Sequence, residues 1–321
     1  MTPEQAAWFQ GTFARLVDNV DQALMGKREV VGLVLAAMLA EGHVLLEDAP
    51  GTGKTSLAKA LAATVQGTSS RIQFTPDLLP SDVTGVTIYD QHSRRFEFHR
   101  GPVFASILLA DEINRASPKT QSALLEVMEE SRVTVDGQPH EVGRPFLVIA
   151  TQNPIEQAGT YKLPEAQLDR FLVRTSIGYP SLDVAERILA GAADRNPSAH
   201  LPAIITTSAI ADMADLAATV HVDGAVLRYT AQLSQATRDD AATRLGVSVR
   251  GSLAMIRIAK VLAAAAGRHY VLPDDVKALA PHVWTHRLVL EPEAEFGGTT
   301  PETVIARVLE QVAAPQARSA A

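Results

Sequence analysis

Residues 47–55 read Glu-Asp-Ala-Pro-Gly-Thr-Gly-Lys-Thr and follow the apolar run His43-Val44-Leu45-Leu46. A glycine-rich turn between a buried strand and a helix, closed by Lys and Thr, is a cradle for phosphate. Glycines let backbone N–H groups curl around phosphate oxygens. The helix starting near Lys54 turns its positive end to the same place. Lys54 supplies a point charge for the β- and γ-phosphates, and the Thr55 hydroxyl is a ligand for Mg²⁺. Pro50, Gly51, Thr52, Gly53, Lys54, Thr55 and Ser56 are thus the expected binding set for a nucleoside triphosphate. The pattern departs from G-x-x-x-x-G-K-[ST] at its first position, which holds Asp48. The flanks, a strand before and Ser56–Ala62 in helical spacing after, keep the assignment.

A second signal is Ile107-Leu108-Leu109-Ala110-Asp111-Glu112, an apolar strand ending in two acids. Asp111 is suited to hold Mg²⁺, directly or through water, and Glu112 to polarise a water for in-line attack on the γ-phosphate. Adjacent side chains leave an extended chain in different directions, so one carboxylate cannot easily do both jobs. Taken alone, the pair also reads as an acidic turn capping the next helix. A third strand, Phe146–Ala150, ends in Thr151-Gln152-Asn153-Pro154. If it lies between the other two strands, the Asn153 amide faces the attacking water or the γ-phosphate. Asn-Pro is equally a strand-terminal turn.

Two arginines fit the same chemistry. Arg170 lies in Leu168-Asp169-Arg170-Phe171 and Arg250 at a helix start, Ser248-Val249-Arg250-Gly251. Most arginines make surface ion pairs, but a guanidinium delivered to a γ-phosphate in transfer is worth about 10³–10⁵ in rate. His282 and His286 are four apart on an expected helix with no carboxylate to complete a metal set, and read as surface or packing residues.

These residues need a scaffold that brings strand ends together. Strands at 43–46, 71–74, 106–110, 146–150 and 173–177 alternate with helices from Ser56 and at 118–130. That rhythm implies a parallel sheet covered on both faces. Two period-2 segments interrupt it: 86–89 with 96–99, and 132–137, whose Asp136-Gly137 signals a tight hairpin. Residues 1–40 carry two helices, the first with Trp8, Phe13, Leu16, Val17 and Val20 on its apolar stripe. Beyond Tyr179-Pro180 the pattern turns helical, with helices at 183–193, 208–217, 224–236, 250–266 and 273–279. Expected domains are 1–180, a nucleotide-binding core, and 181–321, a helical lid with a disordered tail from Ala313.

The 321 residues carry 29 Lys plus Arg, 36 Asp plus Glu, a net charge of −7 and no cysteine. The acid balance disfavours nucleic acid as partner. The absence of cysteine excludes disulfides and thiol chemistry. No secretory signal is visible, and the longest apolar run, Val30–Ala40, is too short to span a bilayer. A cytoplasmic protein is expected.

Together these segments resemble the MoxR family of AAA+ ATPases over about residues 20–290. The telling stretches are Phe74–Gly85, Leu109–Ala116, Pro118–Glu126, Ala150–Gln157 and Leu163–Phe171. The resemblance implies an α/β P-loop core with a parallel five-stranded sheet in the order 5-1-4-3-2, plus an all-helical lid. It implies ATP and Mg²⁺ as cofactors, Lys54 and Thr55 as Walker A, Asp111 and Glu112 as Walker B, and Asn153 as sensor 1. Arg170 matches an arginine finger acting on a neighbouring subunit and Arg250 matches sensor 2, in cis or in trans. Val249 and Gly251 stand where relatives usually carry Pro and Ala. The hairpins at 86–99 and 132–145 resemble the helix-2 insert and the insert before sensor 1. Family members are chaperone-like remodellers, often with a von Willebrand factor A-domain partner. The expected protein is an ATP-hydrolysing homo-oligomeric ring, a hexamer, that assembles, matures or loads metal into client complexes. The alternatives are a nucleic-acid motor or loader and a slow nucleotide-gated binding module.

Overall fold

Apolar β-branched runs and helical repeats fold into two units in this computed structural model, which describes residues 1–153, 159–190 and 197–315. One unit comprises Arg15–Phe171 and Thr175–Asp212; the other comprises Met1–Ala14, Leu172–Arg174 and Met213–Ala321.

Chain order begins with α1 (Pro3–Asp21) and α2 (Arg28–Leu39), then β1 (Val44–Glu47), α3 (Lys54–Thr64) and β2 (Ser69–Gln73). A short α4 (Pro80–Thr84) leads into hairpin β3 (Gly85–Asp90) and β4 (Arg95–Arg100), followed by β5 (Ile107–Asp111) and α5 (Pro118–Glu130). Hairpin β6 (Arg132–Val135) and β7 (Gln138–Glu141) precedes β8 (Leu147–Gln152), α6 (Glu165–Leu168), β9 (Val173–Thr175) and α7 (Leu182–Ala190).

The sheet order is β2-β5-β8-β1-β9, the expected order. β2, β5, β8 and β1 run parallel to their neighbours. Every residue of β5 is buried, as covering on both faces requires. Leu45, Phe74, Leu108, Val148 and Phe171 form a core with Leu124, Leu125 and Met128 of α5. Ser117 caps α5, its hydroxyl accepting from the Thr120 N–H, and Pro118 takes the first helical position.

Both hairpins form where period-2 alternation placed them. The β6–β7 turn has Asp136 and Gly137 at φ +50° and +75°, the left-handed pair a two-residue turn demands. At the β3–β4 turn, the Asp90 carboxyl is held below its ordinary value by the His92 N–H and then by Ser93.

The remaining elements are α8 (Thr207–Ala218), α9 (Gly224–Asp239), β10 (Thr243–Leu245), α10 (Val249–Ala265), α11 (Pro273–Trp284), β11 (Val289–Leu290), α12 (Pro292–Phe296) and α13 (Pro301–Gln311). Tyr229, Leu233, Met255, Ile258, Trp284, Ile305 and Val308 are buried there.

Four details differ from the sequence expectation. Trp8 is exposed, and its neighbour Phe9 is buried instead and stacks on Phe13 at 6.3 Å. α11 runs five residues past Leu279, through Pro281. α12 and α13 add helices beyond the expected set. His286 is buried on a 3₁₀ turn after α11, not on the helix carrying His282. The expected segments 191–193 of α7, Pro154–Gln157 and the tail from Gln316 lie outside the described residues.

Candidate functional site

The loop between β1 and α3 is shaped by two left-handed glycines, Gly51 at φ +82° and Gly53 at φ +96°. Gly53 is doubly required. Its φ disfavours a side chain, and a Cβ there would sit 2.7 Å from Leu24 Cδ1. Gly53 is also the N-cap of α3, so the first free N–H groups of the helix open onto the loop. Lys54 is half-buried, and its one partner among the described residues is the Asp48 carbonyl, 3.5 Å away. A half-buried ammonium with so weak a partner suits an incoming anion.

Asp48, at the position where the motif has glycine, does structural work. Its buried carboxylate accepts the N–H groups of Ile177 at 2.7 Å and Gly178 at 2.9 Å. Two backbone donors stabilise the buried charge and tie the loop entrance to the segment after β9.

β8 lies between β1 and β5, so the loop after β1 and the acids after β5 leave the same edge of a parallel sheet, two strands apart, or about 10 Å. This is the edge where open α/β sheets hold ligands. Asp111 ends β5 and is buried. Its Oδ1 accepts from Thr151 Oγ1 at 2.6 Å and its Oδ2 from Arg71 Nη2 at 2.6 Å. Glu112 adopts φ +56°, an uncommon conformation for a non-glycine residue, held by its N–H donating to Thr151 Oγ1 at 2.9 Å. Glu112 Oε2 accepts from Gln73 at 2.7 Å and from Arg115 at 3.1 Å. The structure thus gathers Asp111 and Glu112 about Thr151, a residue to which sequence reasoning gave no role of its own.

Asn153 follows the last residue of β8 and is half-buried. Arg170 lies just beyond α6. Its Nη2 is 2.9 Å from Glu129 Oε2, and it lines a cavity of about 370 Å³ with Glu126, Glu129, Glu130, Arg132 and Thr134. Arg250 belongs to the other unit, exposed on the first turn of α10, where the Ser248 hydroxyl caps the helix by accepting the Gly251 N–H at 3.0 Å.

A phosphate loop capped by a helix, paired acids at the end of an adjoining buried strand and a separate helical unit define the AAA class of P-loop ATPases. A family model described as ATPase family associated with various cellular activities (AAA) matches residues 43–173, and one for the AAA lid domain matches residues 235–308. Chaperone MoxR1 of Mycobacterium tuberculosis is 43% identical over 95% of this chain and 83% of its own length. Protein MoxR of Paracoccus denitrificans is 33% identical over 85% of this chain and 87% of its own. The crystal structure of a candidate ATPase from Cytophaga hutchinsonii superposes with a TM-score of 0.91 at 35% identity, covering 98% of both chains. The chain belongs to the MoxR family of AAA+ ATPases. It binds nucleotide and hydrolyses ATP as a chaperone-like AAA+ ATPase. Among the described residues no helix is long and apolar enough to cross a membrane.

A Mg²⁺ ion fits the donors present. The Thr55 hydroxyl and Asp111 carboxylate are the hard oxygen donors that Mg²⁺ prefers, and phosphates and water would complete its shell. Among the described residues no three His, Cys, Asp or Glu converge into an all-protein cage.

Proposed function

We propose that this chain is a ring-forming remodeller whose residues 50–56 seat Mg²⁺–ATP and whose Glu112 activates the attacking water. The observation that carries this reading is the placement of the Lys54 loop and the Asp111–Glu112 pair on one edge of the sheet, with β8 between them. Lys54 contacts the β- and γ-phosphates, and Thr55 with Asp111 holds Mg²⁺, which neutralises phosphate charge when bound. Glu112, oriented by Gln73 and Arg115, takes the proton of the water. Asn153 orients that water. Arg170, supplied to a neighbour's nucleotide, stabilises charge on the transferring phosphoryl group. A finger in trans requires neighbours, so a closed homo-oligomeric ring follows, and the family resemblance points to a hexamer. Val249 and Leu253, 71% and 62% exposed on either side of Arg250, favour Arg250 acting on a neighbouring copy.

The client is engaged through the β3–β4 hairpin. Tyr89 and Phe96 pair edge-to-face at 5.2 Å yet remain 49% and 74% exposed. Exposed aromatics at a hairpin tip suit transient apolar contacts. Assembly, maturation or metal loading of client complexes, with a von Willebrand factor A-domain partner, is the corresponding activity. The net charge of −7 speaks against a nucleic-acid track.

The test is a pull-down with Glu112→Gln in ATP, compared with the same variant carrying Tyr89→Ala and Phe96→Ala. Capture of a discrete set of proteins that disappears with the aromatics supports a remodeller. Equal capture by both removes the hairpin from client contact. DNA-stimulated turnover would favour the motor alternative instead.

A further inference from the structure

The two acids are wired into a closed circuit of side chains. Arg71 Nη2 donates to Asp111 Oδ2 at 2.6 Å and to Gln73 Oε1 at 3.1 Å. Gln73 Nε2 donates to Glu112 Oε2 at 2.7 Å. The Glu112 N–H donates to Thr151 Oγ1 at 2.9 Å, and that hydroxyl donates to Asp111 Oδ1 at 2.6 Å. Arg71 and Gln73 are two apart on β2 and so share a face. The register sets Gln73 beside Asp111. Both oxygens of Asp111 are therefore engaged, one by a guanidinium. A divalent ion drawing on Asp111 must compete with a cation already in place.

We propose that Arg71 is a built-in counter-cation to Asp111, which lets the triphosphate settle without Mg²⁺ and sets how much Mg²⁺ fills the site. This presupposes that residues 50–56 hold nucleotide. Without Arg71, a bare carboxylate faces the incoming triphosphate across about two strands, and like charges at that distance repel. The Arg71 side chain is 51% exposed, so solvent screens the effect to a severalfold change. Arg71 acts through Asp111 and is a positioning residue.

The experiment measures equilibrium binding of a fluorescent ATP analogue to full-length protein, in EDTA and across a Mg²⁺ titration. In EDTA, Arg71→Gln binds about three- to tenfold more weakly than the wild type, while Arg71→Lys, which keeps a cation, stays within about twofold. In the titration, Arg71→Gln reaches its Mg²⁺ midpoint at about three- to tenfold lower concentration, because the competitor is gone. In an Asp111→Asn background, Arg71→Gln changes neither quantity. Arg71→Met is the second variant if the glutamine chain fails to fold, as judged by thermal unfolding without nucleotide. A folded Arg71→Gln or Arg71→Met chain with wild-type EDTA affinity, or with an unshifted midpoint, overturns the proposal. So does an equal loss with and without Mg²⁺, the mark of a purely structural role. Failure of the wild type to bind in either condition would instead sink the nucleotide assignment of the loop.

Discussion

The Thr151 hydroxyl donates to Asp111 Oδ1 at 2.6 Å from a fully buried position on the strand beside it. The same oxygen accepts the Glu112 N–H at 2.9 Å, so one hydroxyl sets the carboxylate of the first acid and the backbone of the second. Thr151→Val keeps the shape and removes the hydroxyl. It leaves the part-buried Glu112 N–H and a buried Asp111 carboxylate oxygen without this partner, at about 1–3 kcal/mol. We expect ATP turnover to fall about 10- to 100-fold with nucleotide affinity little changed. Wild-type turnover in a folded Thr151→Val protein would remove Thr151 from the site.

His43 locks the opposite end of the sheet. Its Nδ1 accepts the Val148 N–H at 3.1 Å, which leaves Nε2–H to donate to the Met128 carbonyl at 3.0 Å. Both backbone groups lose this partner in His43→Leu. The cost is about 2–4 kcal/mol, seen as a lower urea midpoint, with ATPase activity per folded molecule retained. A midpoint equal to that of the wild type would contradict the assignment.

The strand-end positions of the loop and the paired acids were legible from local pattern with its flanks: glycine, lysine and threonine at a strand–helix junction, and two acids closing an apolar run. The hairpins were legible from period-2 alternation and Asp136-Gly137. Arg71, Gln73 and Thr151 were not, because their partners lie about 40 residues away in sequence and meet only through strand pairing. Asp48 looked like a motif defect because its partners, the Ile177 and Gly178 N–H groups, are 129 and 130 residues distant. The expected α11 stops at Leu279, whereas the observed helix continues through Pro281 despite the rule that proline ends helices. Burial of Trp284, with its indole N–H donating to the Gly251 carbonyl at 3.0 Å, overrides that rule.

Gly251 lies in the first turn of α10. An added Cβ would lie 2.8 Å from Arg287 Cδ and 2.9 Å from Val247 Cγ1, and both neighbours are buried. Helix propensity favours Ala by about 1 kcal/mol. Overpacking costs about 1–3 kcal/mol and wins. Gly251→Ala is therefore expected to lower Tm by a few degrees, readable by calorimetry. A raised Tm would show that Arg287 yields without cost.

Arg170 is paired with Glu129 at 2.9 Å within its own chain. Arg170→Ala should bind ATP within about twofold of the wild type and lose about 10³-fold or more in turnover. Mixing it with Lys54→Ala should restore part of the activity, because an intact finger then meets an intact loop across the subunit boundary. Mixtures that stay inactive at every ratio would contradict action in trans.

ATP binding and single-turnover hydrolysis measured side by side on the wild type and Glu112→Gln probe the core of the account most directly. The expected result is near wild-type ATP affinity in Glu112→Gln with hydrolysis slowed about 10²–10⁴-fold. Hydrolysis at the wild-type rate in that variant, or no nucleotide binding by either protein, would contradict the placement of ATP between the Lys54 loop and the Asp111–Glu112 pair.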